Sequence, residues 1–212
     1  MGLVAATFDC YGTLIDWDQG LQFYFRDRAG LSPDEAAAKA REWEEHQREL
    51  IQGSYRPYRD IMRESLRAVL PDMPQSHVEA FPDSILHWPI FRDVDQLARA
   101  GLKLGVLSNM DTDLLEATLR RLPVRIDFFV SAQQVRSYKP SPAHFKRALE
   151  LLKCRPQDVA HCAFGAWYDI APAKALGMRT VLVRRSKVSE TGSPDAVVSS
   201  LSELPRLLAM MC

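Results

Sequence analysis

The chain has 212 residues, 47% hydrophobic and 25% charged, with 27 basic residues against 27 acidic ones. That is enough apolar sequence for one sizeable core, or for a core carrying a smaller inserted domain. The charge balance offers no footing for nucleic acid or an anionic membrane surface, and no apolar run approaches the ~20 residues that a spanning helix needs.

The N-terminus lacks the basic start and small-residue cleavage site of a signal peptide. Cys10, Cys154, Cys162 and Cys212 show no zinc-type spacing and are too few to staple a chain this long. Reduced thiols in a cytoplasmic protein are expected.

Leu3 to Phe8 reads as a strand buried on both faces. Asp9 ends it, and Gly12 and Thr13 open a tight turn. Ile15 to Gly20 reads as a polar and aromatic connection, and the pattern from there to about Trp88 is helical. Ser32-Pro33-Asp34-Glu35 is a helix start with a hydroxyl cap, a proline at the first position and a glutamate three after the cap. That helix should run to Ile51. Helices are also expected over Tyr58 to Leu70 and His77 to Leu86. The stretch contains no strand pattern, so residues 17–88 read as a helical domain inserted into a core made of 1–16 and 89–212.

The second half alternates. Helices are expected over Asp95 to Arg99, Leu114 to Leu122, Ser141 to Leu152 and Ala171 to Ala175, the last stopped by Gly177. Strands are expected over Leu104 to Leu107, Phe128 to Val130, Val159 to Phe164, Thr180 to Val183 and Ala196 to Val198. Strands alternating with helices imply an α/β fold, a doubly wound and mainly parallel sheet with helices on both faces.

Polar residues recur where these strands end: Asp9 and Thr13, then Ser108 and Asn109, then Lys139 before a helix, then Asp169. In such a sheet the strand ends face one crevice. The set comprises a carboxylate that could be nucleophile or metal ligand, hydroxyl and amide donors, one ammonium and a second carboxylate. Taken singly, each residue could equally be a turn or helix cap or a surface lysine. One such station per strand favours the joint reading.

Asp9-Cys10-Tyr11-Gly12-Thr13-Leu14, Ser108-Asn109, Tyr138-Lys139-Pro140 and Asp169-Ile170 resemble the four motifs of the haloacid dehalogenase superfamily, with the helical insert as its cap domain. Phosphatases of the superfamily usually carry a second aspartate two residues after the nucleophile. Here that position is Tyr11, which looks most like the L-2-haloacid dehalogenase branch. The resemblance implies that Asp9 attacks the halogen-bearing carbon and forms an ester that water hydrolyses. Lys139 would lower the Asp9 pKa. Thr13 and Ser108 would orient the carboxylate or the substrate acid group, and Asp169 would orient Lys139 or the water. Tyr11 and Asn109 would hold the halide, with Trp167 and Tyr168 as an aromatic wall.

The match has gaps. Phe164 and Ala166 stand where the dehalogenases carry a serine and an asparagine. Glu44 stands where the cap supplies its substrate-gripping arginine, with Arg41 and Arg48 each about one helical turn away. The resemblance implies a small-molecule substrate, no cofactor and a possible homodimer. Two alternatives stay open. One is a Mg²⁺-dependent phosphatase using Asp9 and Asp169 as metal ligands. The other is a low-activity binding protein.

Overall fold

The computed structural model describes residues 2–185 and 192–211; Cys212 lies outside them. Six strands form one sheet: β1 (Ala5–Phe8), β2 (Lys103–Ser108), β3 (Phe128–Ser131), β4 (Val159–Ala163), β5 (Arg179–Val183) and β6 (Ala196–Val198). Their order is β3-β2-β1-β4-β5-β6, and every pairing is parallel. The doubly wound arrangement expected from the sequence is therefore present, entirely rather than mainly parallel.

The helices, in chain order, are α1 (Trp17–Ala29), α2 (Pro33–Leu50), α3 (Tyr58–Val69), α4 (Gln75–Ala80), α5 (Thr112–Leu119), α6 (Ala132–Val135), α7 (Ala143–Leu152), α8 (Ala171–Ala175) and α9 (Leu204–Met210). Because strand side chains alternate between faces, neighbouring residues of β1 enter different cores. Ala6 and Phe8 join the cluster that includes Leu204 and Leu208 of α9 and the buried faces of α1 to α3. Ala5 joins Phe145 and Ala148 of α7 and Ala173 of α8 on the other side. Burial on both faces is why β1 is apolar but for Thr7, whose hydroxyl pairs with His161.

α2 starts as its sequence dictates. The Ser32 hydroxyl accepts from the Glu35 N–H, and the Glu35 carboxylate accepts from the Ser32 N–H at 2.8 Å. Elsewhere the boundaries shift. The connection expected over 15–20 is helical from Trp17, because Asp16 caps α1 by accepting from the Gln19 N–H at 3.1 Å. The helix expected over 77–86 is two pieces, α4 and a 3₁₀ segment over Pro82–His87. Pro82 has no N–H to continue the ladder. Residues 94–99 are 3₁₀ rather than α. The four-residue α6 and the C-terminal α9 were not expected.

Two clasps join the α1–α4 segment to the sheet. Asp111, just past β2, accepts from the backbone N–H groups of Tyr58 and Arg59 at 3.0 Å each, and Arg59 also pairs with Asp113. Arg121 donates to the carbonyls of Ile85 and Trp88. No described helix is long and apolar enough to cross a membrane.

Candidate active site

β1 delivers Asp9 at its carboxyl end. This lies beside β4, where the strand order turns back and crevices form in sheets of this winding. The chain then folds over itself: Leu14 and Ile15 both donate to the Cys10 carbonyl. Gly12 has φ +95°, and a Cβ there would come within 2.9 Å of the Phe164 ring, so both the turn and the close approach require glycine. The turn brings the Thr13 hydroxyl to Asp9, donating to Oδ2 at 2.9 Å. Thr13 Oγ1 in turn accepts from the Phe164 N–H at 3.0 Å, which ties the end of β4 to the same loop.

Lys139 arrives from the loop after α6, 1% exposed. Its ammonium donates to Asp9 Oδ1 at 2.8 Å, to Asp169 Oδ1 at 2.6 Å and to the Leu107 carbonyl at 3.0 Å. All three ammonium donors are used, which is what permits a charged lysine to be buried. Asn109 fixes the lysine backbone, accepting from its N–H at 2.7 Å and donating to its carbonyl at 3.3 Å.

Asp169 sits in a single π-helical turn, Ala166–Ile170, directly after β4. The turn directs Asp169 inward and leaves Trp167 43% exposed. Gly165 makes room for it, since a Cβ there would lie 2.7 Å from Asp169 Oδ2. Two histidines outside the motifs complete the surroundings. His161 Nε2 is 3.1 Å from Asp169 Oδ1; as a carboxylate only accepts, the ring donates there, and its Nδ1 lies 2.9 Å from the Thr7 hydroxyl. His144 lies 3.1 Å from the Ser108 carbonyl, and burial, helped by the Lys139 charge, pushes its pKa down to about 3. It is a neutral donor that anchors Ser108.

The charges settle unequally. Burial works against an ionised Asp169, but the Lys139 ammonium and the His161 hydrogen bond outweigh it and hold this carboxyl below its ordinary range. Burial lowers Lys139, but Asp169 and Asp9 more than restore it. Asp9 ends above the ordinary carboxylate value, because burial exceeds the pull of Lys139 and Asp169 adds repulsion. The expectation that Lys139 lowers the Asp9 pKa is thus corrected: the lysine opposes the rise without reversing it.

A cavity of about 80 Å³ opens above this group. Of the expected site residues, Asp9, Tyr11, Ser108, Asn109, Lys139, Tyr168 and Arg48 line it. Thr13 and Asp169 lie behind the lining, on Asp9 and Lys139. Arg41 and Trp167 lie elsewhere. Arg41 is two residues before Trp43, on the opposite and exposed side of α2, and the π-helical turn points Trp167 outward. The Tyr11 hydroxyl is committed to Thr118 Oγ1 at 2.8 Å, and burial raises it well above the ordinary phenol range. Glu44 also lines the cavity, and the rest of the wall was not expected: Trp17, Trp43, Gln47, Ile51, Tyr58, Met62, Trp88 and Met110. The α2 members recur at one-turn spacing on a single face, which was the available signal.

The model of haloacid dehalogenase-like hydrolases matches residues 3–177, from β1 to the end of α8. The chain belongs to this hydrolase family. (S)-2-haloacid dehalogenase 1 of Pseudomonas sp. (strain CBS-3) is 28% identical, with 96% of each chain covered. (S)-2-haloacid dehalogenase 4A of Burkholderia cepacia is also 28% identical, over 98% of this chain and 95% of that one. A solved dehalogenase with an intermediate complex superposes with a TM-score of 0.85 at 25% identity, 98% of each chain being covered. The L-2-haloacid dehalogenase of Xanthobacter autotrophicus with covalently bound chloropropionic acid shares the fold, with a TM-score of 0.86 at 24% identity over 99% of this chain and all of that one. In this member of the family, the four motif stations of the chain meet in one crevice.

Proposed function

We propose that this hydrolase releases halide from a small 2-haloalkanoyl compound, the class to which 2-halo acids belong, through a covalent ester at Asp9. One Asp9 oxygen attacks the carbon bearing the halogen, and the C–halogen electron pair leaves with the halide. Water then opens the ester at the Asp9 carboxyl carbon. The products are the 2-hydroxy compound, halide and one proton, with the carboxylate restored. Asp169 Oδ2, buried and without a described protein partner, is the acceptor available to orient that water. Trp88, in the cavity wall, has an indole N–H without a described partner, a donor for the departing halide. Tyr11 and Asn109 are occupied elsewhere, so their part is to shape the wall and hold Lys139.

The observation that carries this reading is the Lys139 ammonium within 2.8 Å of both Asp9 and Asp169. It occupies the place between two carboxylates that a Mg²⁺ ion would need. A Mg²⁺ ion held by Asp9 and Asp169 would have to displace that ammonium from between them. Tyr11, with its raised pKa, is a poor acid for an alkoxide leaving group, whereas a halide needs no proton. The donor set therefore favours a cofactor-independent dehalogenase over the phosphatase. We take helices α1 to α4 to be its cap.

The test is one preparation offered short 2-halo compounds and phosphate esters, with Mg²⁺ and with a chelator. Halide release unaffected by chelator, and abolished in Asp9→Asn, is the expected result. Phosphate release that requires Mg²⁺ would overturn the reading.

A further inference from the structure

Glu44 lines the same cavity as Asp9 and Lys139, on the inner face of α2 beside Trp43, Gln47 and Arg48. Its side chain is 24% exposed, and Arg48 donates to its Oε1 at 3.1 Å. Glu44 and Asp9 act on the same phenols. Beyond the effect of burial, both carboxylates push up the pKa values of Tyr58 and Tyr168, two further lining residues. The acid in the α2 wall and the nucleophile thus look across one small space.

Among the described residues, the charges around that space leave no cation for an acid substrate. Lys139 is shared between Asp9 and Asp169. Arg48 is paired with Glu44. Arg121 gives its guanidinium to the carbonyls of Ile85 and Trp88 and does not line the cavity. With Asp9, Asp169 and Glu44 against Lys139 and Arg48, the group carries a net negative charge. A carboxylate entering would have to break the Glu44–Arg48 pair and leave Glu44 uncompensated beside it, which is the kind of repulsion that rejects one ligand in favour of another.

What the walls present is instead an acceptor opposite a donor. The Glu44 carboxylate can accept from an N–H. Ser108 Oγ accepts from the Met110 N–H at 3.3 Å, which leaves its own O–H to donate to a carbonyl oxygen. Trp17, Trp43 and Tyr168 line the rest of the space with aromatic surface, which favours a neutral group over a charged one. We propose that Glu44 is the specificity-determining residue of this hydrolase and selects a neutral 2-haloalkanamide over the corresponding 2-haloalkanoate. The amide N–H donates to Glu44, the amide carbonyl accepts from Ser108, and the halogen-bearing carbon faces Asp9. The inference rests on the dehalogenase reading above and fixes its substrate class.

The test compares halide release from 2-chloropropionamide and 2-chloropropionate at pH 8, well on the alkaline side because burial pushes the Glu44 carboxyl above its ordinary value, with the Arg48 pair opposing the rise. Wild type should favour the amide in kcat/KM by about tenfold or more, the scale of ~1.4 kcal/mol of discrimination. Glu44→Gln should narrow that ratio to about threefold or less, and Glu44→Arg should invert it. The wild-type ratio needs no variant, so a misfolded variant does not leave the question open. A wild-type preference for the acid, or a ratio unmoved by Glu44→Gln, would overturn the inference while leaving the dehalogenase reading standing. Halide from neither compound would overturn both.

Discussion

Lys139 lies nearer to Asp169 than to Asp9, 2.6 Å against 2.8 Å. The closer carboxylate is also the one that His161 supports, so the ammonium is anchored from behind and presented to the nucleophile. Replacing Lys139 by alanine removes the only positive charge within hydrogen-bonding distance of Asp9 among the described residues and leaves two carboxylates facing each other. Turnover should fall on the order of 10²-fold or more, the scale of removing one preorganised electrostatic group. Lys139→Arg should not restore it, because a planar fork cannot reproduce three donors in a site 1% exposed. Steady-state halide release decides, and a loss under about threefold would remove Lys139 from the chemistry.

A pH limb follows from the raised Asp9. Only the ionised carboxylate attacks, so kcat/KM should fall as pH drops through the Asp9 pKa, which burial places above its ordinary value of 3.8. Unfolding has the opposite origin. A carboxyl with a raised folded-state pKa costs less stability once protonated, so Asp9 does not drive acid unfolding. Asp169, held below 3.8, contributes stability above its unfolded pKa and loses it as pH falls through the lower folded value. Activity should therefore vanish before the fold does. A pH–rate profile alongside circular dichroism checks this, and a rate still level at pH 3.8 would refute it.

The backbone architecture was legible because β1, β2, β4 and β5 are short, mostly apolar runs bounded by polar or turn residues. Lys139 and Asp169 could be joined to Asp9 through their places at the strand ends and through the motif resemblance, since nothing local distinguishes them from a surface lysine and a cap. His161 was in plain view, a histidine within five buried residues of β4, but its partner Asp169 comes into reach only through the π-helical turn. Burial of Asp9 was also hidden. A sequence shows which charge accompanies a carboxylate, not how dry its surroundings are, and here dryness outweighs the charge.

Trp88 offers a cleaner test of the leaving-group end. A buried donor without a partner is costly, and Trp88 Nε1 has none among the described residues. Its ring also packs edge-on to Tyr11, with centroids 6.2 Å apart, and Gly20 leaves the space for it. Trp88→Phe keeps an aromatic ring and deletes the N–H. Halide release should slow about tenfold, the effect of one lost hydrogen bond, with a larger penalty for chloride than for the better leaving group bromide. An equal rate for both halides in wild type and variant would show that the indole only fills space.

Arg185 links the nucleophile turn to the far edge of the sheet. Its guanidinium donates twice to the Thr13 carbonyl, at 3.2 and 2.9 Å, and pairs with Asp93 through two bonds of 2.9 and 2.8 Å while lying 4.0 Å over the Phe91 ring. Thr13 is the residue whose hydroxyl holds Asp9, so this strap acts on the active site through the backbone. Asp93 keeps the Ser200 hydroxyl and the Leu201 N–H when Arg185 is lost, so Arg185→Ala should cost about 2 kcal/mol, less than orphaning a fully buried charge. For a chain of this size that is a fall of about 4–8 °C in melting temperature. Burial opposes the ionised Asp93, but Arg185, Ser200 and Leu201 overcome it and hold its pKa below 3.8. The stability difference should therefore be full at neutral pH and shrink as pH falls below that value. Because Thr13 is displaced while the cavity wall is untouched, kcat should drop more than KM rises. An unchanged melting temperature together with an unchanged kcat would show that the strap neither stabilises the fold nor positions the nucleophile.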